Sequence, residues 1–145
     1  MSYSVDVNLL LYASDRSCRQ HEVAVRFLRR CITDPDIFFL FWPTVFGYLR
    51  IATHPRIFAH PLAPAEALGN MESLLGLPRV RAVPEGEDFL ECYREVCHHQ
   101  TVRGNFVPDA HLAALMRQNG VRTLYTADSD FRKFEFLDVR NPLGV

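Results

Sequence analysis

Apolar positions change their period repeatedly along this chain, and the changes mark out alternating strands and helices. Tyr3–Asp6 is short and β-compatible, and Val7–Ala13 follows at once with helix-compatible apolar residues. From His21 to Ile32, Val23, Phe27, Leu28 and Cys31 recur at helical spacing, with Arg26, Arg29 and Arg30 between them. Ile37–Trp42 is a continuous apolar run, rich in aromatics and too short for a helix, so it reads as a buried strand. Pro43 suits a first helical turn and opens a helix that carries Val45, Phe46, Leu49 and Ile51 to about Thr53. Pro55, Pro61 and Pro64 make His54–Pro64 a loop. Ala65–Leu75 reads as a helix, Val80–Val83 as a short strand, and Glu85–Gln100 as a helix with Phe89, Tyr93, Val96 and Cys97 on one face. The strongest helical pattern is Val107–Asn119. Pro108 and Asp109 suit its first turn, Leu112, Leu115 and Met116 share a face, and Asn119-Gly120 is a stop signal. Val121–Thr126 and Leu137–Val139 read as the closing strands.

This alternation predicts an α/β three-layer sandwich, with a mostly parallel sheet of about five strands flanked by helices. A length of 145 residues fits one domain spanning 1–145, and 48% hydrophobic against 23% charged residues is enough to fill a core. The net charge is −1, so any contact with nucleic acid must rest on a local basic surface. Lys133 is the only lysine and the other fifteen basic residues are arginines. Arginine forks match phosphate, although genomic composition is the more ordinary cause of such a bias. Cys18, Cys31, Cys92 and Cys97 lack metal-binding spacing, and adjacent side chains in Cys97-His98-His99 would diverge on a helix. Reduced structural thiols fit better. No apolar run approaches the ~18 residues of a membrane span, and the start lacks the features of a signal peptide, so the expected location is the cytoplasm.

The acids carry the chemistry. Ligands of open parallel sheets bind beyond the carboxyl ends of the strands. Asp6 ends the first strand, Asp128 and Asp130 follow the strand Val121–Thr126, and Asp109 opens a helix near the same rim. Taken singly, each has an ordinary role: a helix cap, a dipole partner, a polar turn. Taken together they predict a carboxylate cluster whose self-repulsion raises its pKa values and invites a divalent cation. All-oxygen donors point to Mg²⁺ or Mn²⁺ rather than zinc. A cation so held can activate water and stabilise charge on a phosphodiester. Asn8 and Thr126 are candidate hydrogen-bond donors to the acids. An aspartyl-phosphate enzyme with Asp6 as nucleophile is a competing class, but it would normally carry a second acid where Asn8 stands.

The segment Val5–Ala13 (VDVNLLLYA) resembles the opening of PIN-domain ribonucleases of the VapC toxin type. Leu49–Phe58 (LRIATHPRIF) is similar to a mid-chain signature of actinobacterial members. Gly104–Leu115 (GNFVPDAHLAAL) and Thr126–Phe131 (TADSDF) resemble the third and fourth segments of the family. The four stretches occur in family order across nearly the whole chain. The resemblance implies a PIN fold and a Mg²⁺- or Mn²⁺-dependent endoribonuclease that cleaves tRNA or ribosomal RNA to stop translation. It implies a cognate VapB-type antitoxin and a toxin homodimer. It assigns Asp6, Asp109 and Asp128 to the metal, with Asp130 as an accessory catalytic acid. One position departs: Gly47 stands where many members carry a glutamate. That opens the alternative of a catalytically weak RNA- or partner-binding module. Among the arginines, Arg103 and Arg132 neighbour the third and fourth segments and are the candidates for RNA contact. Phe38, Phe39, Phe41 and Trp42 could stack bases, but core packing is the expected role.

Overall fold

Strand β1 (Ser2–Val5) forms the centre of a five-stranded sheet whose order is β3-β2-β1-β4-β5. The computed structural model describes residues 1–144. The remaining strands are β2 (Ile37–Phe39), β3 (Val80–Arg81), β4 (Thr123–Tyr125) and β5 (Asp138–Arg140), and every pairing is parallel. Six helices connect them: α1 (Val7–Ser14), α2 (His21–Thr33), α3 (Trp42–Ala52), α4 (Pro64–Leu75), α5 (Phe89–Val96) and α6 (Phe106–Gln118). The expected α/β architecture is therefore observed, with a sheet that is parallel throughout.

The sheet separates two apolar clusters. One gathers Tyr3, Val5, Leu9, Leu10, Phe27, Leu40, Tyr48 and Met71 from β1, α1–α4 and the link after β2. The other gathers Leu112, Leu115, Met116, Val121, Leu124, Phe131 and Phe134 around α6. Side chains alternate across a strand, so β1 sends Tyr3 and Val5 to the first cluster while Ser4 lies between them, fully buried. The Ser4 hydroxyl is satisfied by donating to the Phe39 carbonyl at 2.7 Å.

Several boundaries differ from the sequence expectation. The second strand stops at Phe39 rather than Trp42, because Pro43 sits in the first turn of α3 and the helix starts one residue ahead of it. Phe38 and Phe41 are core residues as expected, whereas Trp42 is left 38% exposed. The third strand covers only Val80–Arg81, and α5 begins at Phe89 instead of Glu85 and ends at Val96 instead of Gln100. The Gly86 N–H donates to Gln118 Oε1 at 2.9 Å, and Gln118 Nε2 donates to the Glu87 carbonyl at 2.9 Å. This stretch is thus tied to α6 instead of coiling on itself, and Asp88 then turns it into the helix at φ +60°. The stop after α6 behaves as read: Val121 N–H reaches the Met116 carbonyl at 2.8 Å around Gly120 at φ +68°. A 3₁₀ turn, Ser129–Lys133, was not anticipated.

Candidate functional site

The strand order runs from β1 outward in both directions, so the sheet has its topological switch point between β1 and β4. Loops leaving these two strands diverge to opposite sides and open a crevice at their carboxyl ends. Asp6 is the first residue beyond β1, and its N–H donates to the Tyr125 carbonyl at 2.9 Å, locking it to the end of β4. Thr126 is the first residue beyond β4 and is held to β5 through the Arg140 carbonyl at 2.9 Å.

A small hydrogen-bond network fixes the acids there. Asp6 caps α1: Oδ1 accepts from the Val7 N–H at 2.8 Å. Its Oδ2 accepts from the Thr126 hydroxyl at 2.8 Å. That hydroxyl in turn accepts from the Asp128 N–H at 2.9 Å and from Asn8 Nδ2 at 3.4 Å. With two N–H donors aimed at its oxygen, the Thr126 hydroxyl has one direction left for its own proton, toward Asp6. Asp128 opens the 3₁₀ turn and accepts from the Asp130 N–H at 2.9 Å. Asn8 keeps one buried atom, Oδ1, without a hydrogen-bond partner.

The electrostatics follow from this packing. Burial pushes the Asp6 carboxyl above the usual carboxylate range, the Asp128 charge adds to it, and the bonds from Thr126 and Val7 work against it. Asp109 stands in the first turn of α6, the helix that precedes β4. Burial lifts its carboxyl to about 7, with further contributions from the charges of Asp6, Asp128 and Asp130. Carboxylates from three separated segments thus sense one another at the switch point. Among the described residues, no three acidic, histidine or cysteine side chains are drawn close enough to hold a metal ion as they stand. The donors nevertheless suit a hard cation: they are oxygens, they repel one another, and Asn8 adds an orphaned buried amide oxygen.

The remaining sequence candidates take varied places. Arg103 lies in the loop before α6 and Arg132 on the 3₁₀ turn; both are exposed, and among the described residues neither forms an ion pair. Lys133 was not among the site candidates, yet its Nζ lies 3.9 Å from Asp130 and 5.3 Å from the centre of the Phe106 ring. The i, i+3 spacing of Asp130 and Lys133 was visible in the sequence but had meaning only once the 3₁₀ turn was known. Gly47 lies within α3, where a Cβ would meet Val7 Cγ2 at 3.7 Å, an ordinary contact beside the first turn of α1. A Cβ is therefore accommodated at this position. All four cysteines are free, and His98 and His99 form an edge-on ring pair without a third ligand.

This fold, with its acids gathered at the crevice, defines a PIN-like α/β protein. The chain belongs to the VapC family of PIN-domain ribonuclease toxins. It is 43% identical over 144 residues to Ribonuclease VapC48 of Mycobacterium tuberculosis, covering 99% of both chains. It is 32% identical over 139 residues to Ribonuclease VapC43 of the same species, covering 96% of this chain and 94% of the relative. No family model matches the chain. Among solved structures, VapBC2 from Rickettsia felis, bound to a DNA fragment from its promoter, superposes with a TM-score of 0.70 at 14% identity. That match covers 97% of this chain and 98% of the other. VapC20 of Mycobacterium tuberculosis, described as a sarcin-ricin loop cleaving toxin, gives 0.69 at 20% identity over 95% and 98% of the two chains. At these identities the likeness concerns the fold.

Proposed function

We propose that this protein is a divalent-cation-dependent endoribonuclease that acts as the toxin of a toxin–antitoxin pair, cutting tRNA or ribosomal RNA in the cytoplasm as a single domain. The observation that carries the reading is the Asp109 carboxyl, lifted to about 7 by burial and by three other carboxylates at the switch point. A site that gathers acids against their own repulsion is built for a cation.

In this reading Asp6, Asp109 and Asp128 hold Mg²⁺ or Mn²⁺, with Asp130 completing the acidic wall. A bound divalent cation supplies a water of lowered pKa and charge neutralisation on the phosphodiester. The chain's own groups prepare the place. The Thr126 hydroxyl and the Val7 N–H hold both Asp6 oxygens in position and favour the ionised form. Asp109 surrenders its proton when a cation binds, so affinity weakens as the pH falls below about 7. Lys133 moderates the charge of Asp130 at the outer edge. Arg103 and Arg132, exposed beside the third and fourth segments, are proposed contacts for RNA phosphate.

Two protein partners belong to the proposal. A groove of about 370 Å³ between α1, α2 and α4, lined by Leu10, Leu28, Ile32, Met71 and Leu74, suits an apolar segment of a VapB-type antitoxin. The exposed pair Trp42 and Phe46 on α3, with ring centres 6.4 Å apart, suits a homodimer contact.

The deciding experiment incubates the purified protein with total cellular RNA and Mg²⁺ or Mn²⁺ and maps the new ends. Cleavage that chelator abolishes, and that Asp6→Asn and Asp109→Asn each reduce by about 10²-fold or more, is expected. Undiminished cleavage by both variants refutes the assignment of the site. A second reading has one observation of its own: residue 47 is glycine, where the family resemblance leads one to expect a glutamate, which favours a module that binds RNA with little turnover. RNA binding that persists in chelator, without cleavage at any metal concentration, would select it.

A further inference from the structure

Beside the acidic crevice lies a second groove, of about 360 Å³, a size that can hold a small ligand. It is lined in part by Tyr12, Arg19, Gln20, Val23, Ala127 and Leu143. Ala127 is the link: it stands between Thr126, which bonds Asp6, and Asp128. One wall of the groove is thus the chain neighbour of two residues of the carboxylate network, and the opposite lining belongs to the turn before α2 and its first residues.

The lining is assembled from elements that rigidly present polar groups. The turn between α1 and α2 is closed on itself: Ser17 N–H and Oγ both donate to Asp15 Oδ1, at 3.0 and 2.6 Å. Cys18 N–H reaches the Asp15 carbonyl, and His21 Nδ1 lies 3.0 Å from the Tyr12 carbonyl. Arg19 and Gln20 sit on this turn. Arg19 is exposed and, among the described residues, has no ion-pair partner. Gln20 precedes α2 without using its side-chain amide to cap it, so both a donor and an acceptor remain available. Val23 and Leu143 add apolar surface, and Tyr12 an aromatic residue.

We infer that this groove is a nucleotide subsite, which holds the residue of single-stranded RNA next to the scissile phosphate. The inference rests on the ribonuclease reading and extends it to substrate positioning. A phosphodiester drawn to a carboxylate site needs a nearby cation outside the acids to hold the adjoining phosphate, and Arg19 is that cation. A splayed base needs an apolar and aromatic wall with an amide at its edge, and Tyr12, Val23 and Gln20 provide both. A duplex, whose bases stay stacked, cannot place one there.

The test compares wild type with Arg19→Ala/Gln20→Ala, both exchanges lying on the turn before α2 and outside the apolar clusters. Each protein is assayed with Mn²⁺ on a single-stranded RNA that wild type cleaves and on bis(4-nitrophenyl) phosphate, a diester without neighbouring nucleotides. The ratio of kcat/KM on RNA to that on the diester is expected to fall about ten-fold, mainly through a higher KM, as for loss of one charge-assisted contact. An unchanged ratio overturns the subsite, as it would if the groove served a protein segment instead. Equal losses on both substrates overturn it too, because the damage then lies at the acids. If wild type cleaves no single-stranded RNA offered to it, the ribonuclease reading itself fails; if it cleaves RNA but not the diester, no ratio can be formed. The subsite is then judged by affinity for the same RNA: weaker binding by the double variant supports it, and equal binding overturns it.

Discussion

At the scale of single residues, the crevice is governed by how few groups satisfy one another. Thr126 serves three partners with one hydroxyl, and Asp6 is ordered at both oxygens, by the first residue of α1 and by the first residue beyond β4. Among the described residues Asp109 has no such help, and burial and neighbouring charges raise its carboxyl. The sign of its effect on stability follows. Its carboxyl titrates near 7 in the folded chain against the usual 3.8, so its contribution is complete below 3.8 and is lost as pH rises through 7. Asp109→Asn removes that loss. Without divalent cation, the variant is expected to melt above wild type at about pH 8, with the gap narrowing toward about pH 4. Thermal melts across that range check it, and a gap that widens on acidification contradicts it. Gly47 offers the complementary test. A Cβ there makes only an ordinary contact with Val7, and Gly47→Glu also removes a helix-interior glycine. Tighter Mn²⁺ binding, by about ten-fold, is expected in calorimetry. No gain would mean that α3 does not address the acids.

At the scale of elements, short strands and capped helices do the positioning. No strand exceeds the four residues of β1, yet parallel pairing keeps the register from Ser2 to Val5 and delivers Asp6 at its end. The α6 stop sets where β4 begins. Gly120 holds the left-handed conformation that lets Gly120 and Val121 satisfy the carbonyls of Arg117 and Met116. Gly120→Ala is expected to cost about 1–2 kcal/mol, read as a lower urea midpoint, since Cβ is strained there. A variant as stable as wild type would show that this stop is not what fixes the helix end. The sequence displayed this stop plainly, because its signal is local. It did not display the start of α5, which depends on Gln118 from another helix bonding Gly86 and Glu87. Nor did it display the 3₁₀ turn, since Asp128-Ser129-Asp130 is equally compatible with an irregular polar loop.

At the scale of the whole molecule, surfaces left unpaired by the fold invite partners. Phe46 is 62% exposed beside Trp42 on α3, and their rings form an apolar pair at the surface. Phe46→Glu is expected to convert a dimer to monomer in light scattering while leaving the melting temperature of the monomer little changed; an unaltered mass would place the interface elsewhere. Among the described residues no helix is long and apolar enough to cross a membrane. The alternation of strands and helices and the core faces were determined by the chain's own pattern, because periodicity and capping act over a few residues, and the candidate acids could be named from it. Convergence was different. Asp6 and Thr126 are separated by 120 positions, and only the placing of β4 against β1 makes them hydrogen-bonded neighbours. Ala127, next in the chain to Thr126, lines the groove that Arg19 also lines. Which groups share a crevice, and which charges feel one another, depends on distances through space that no local pattern encodes.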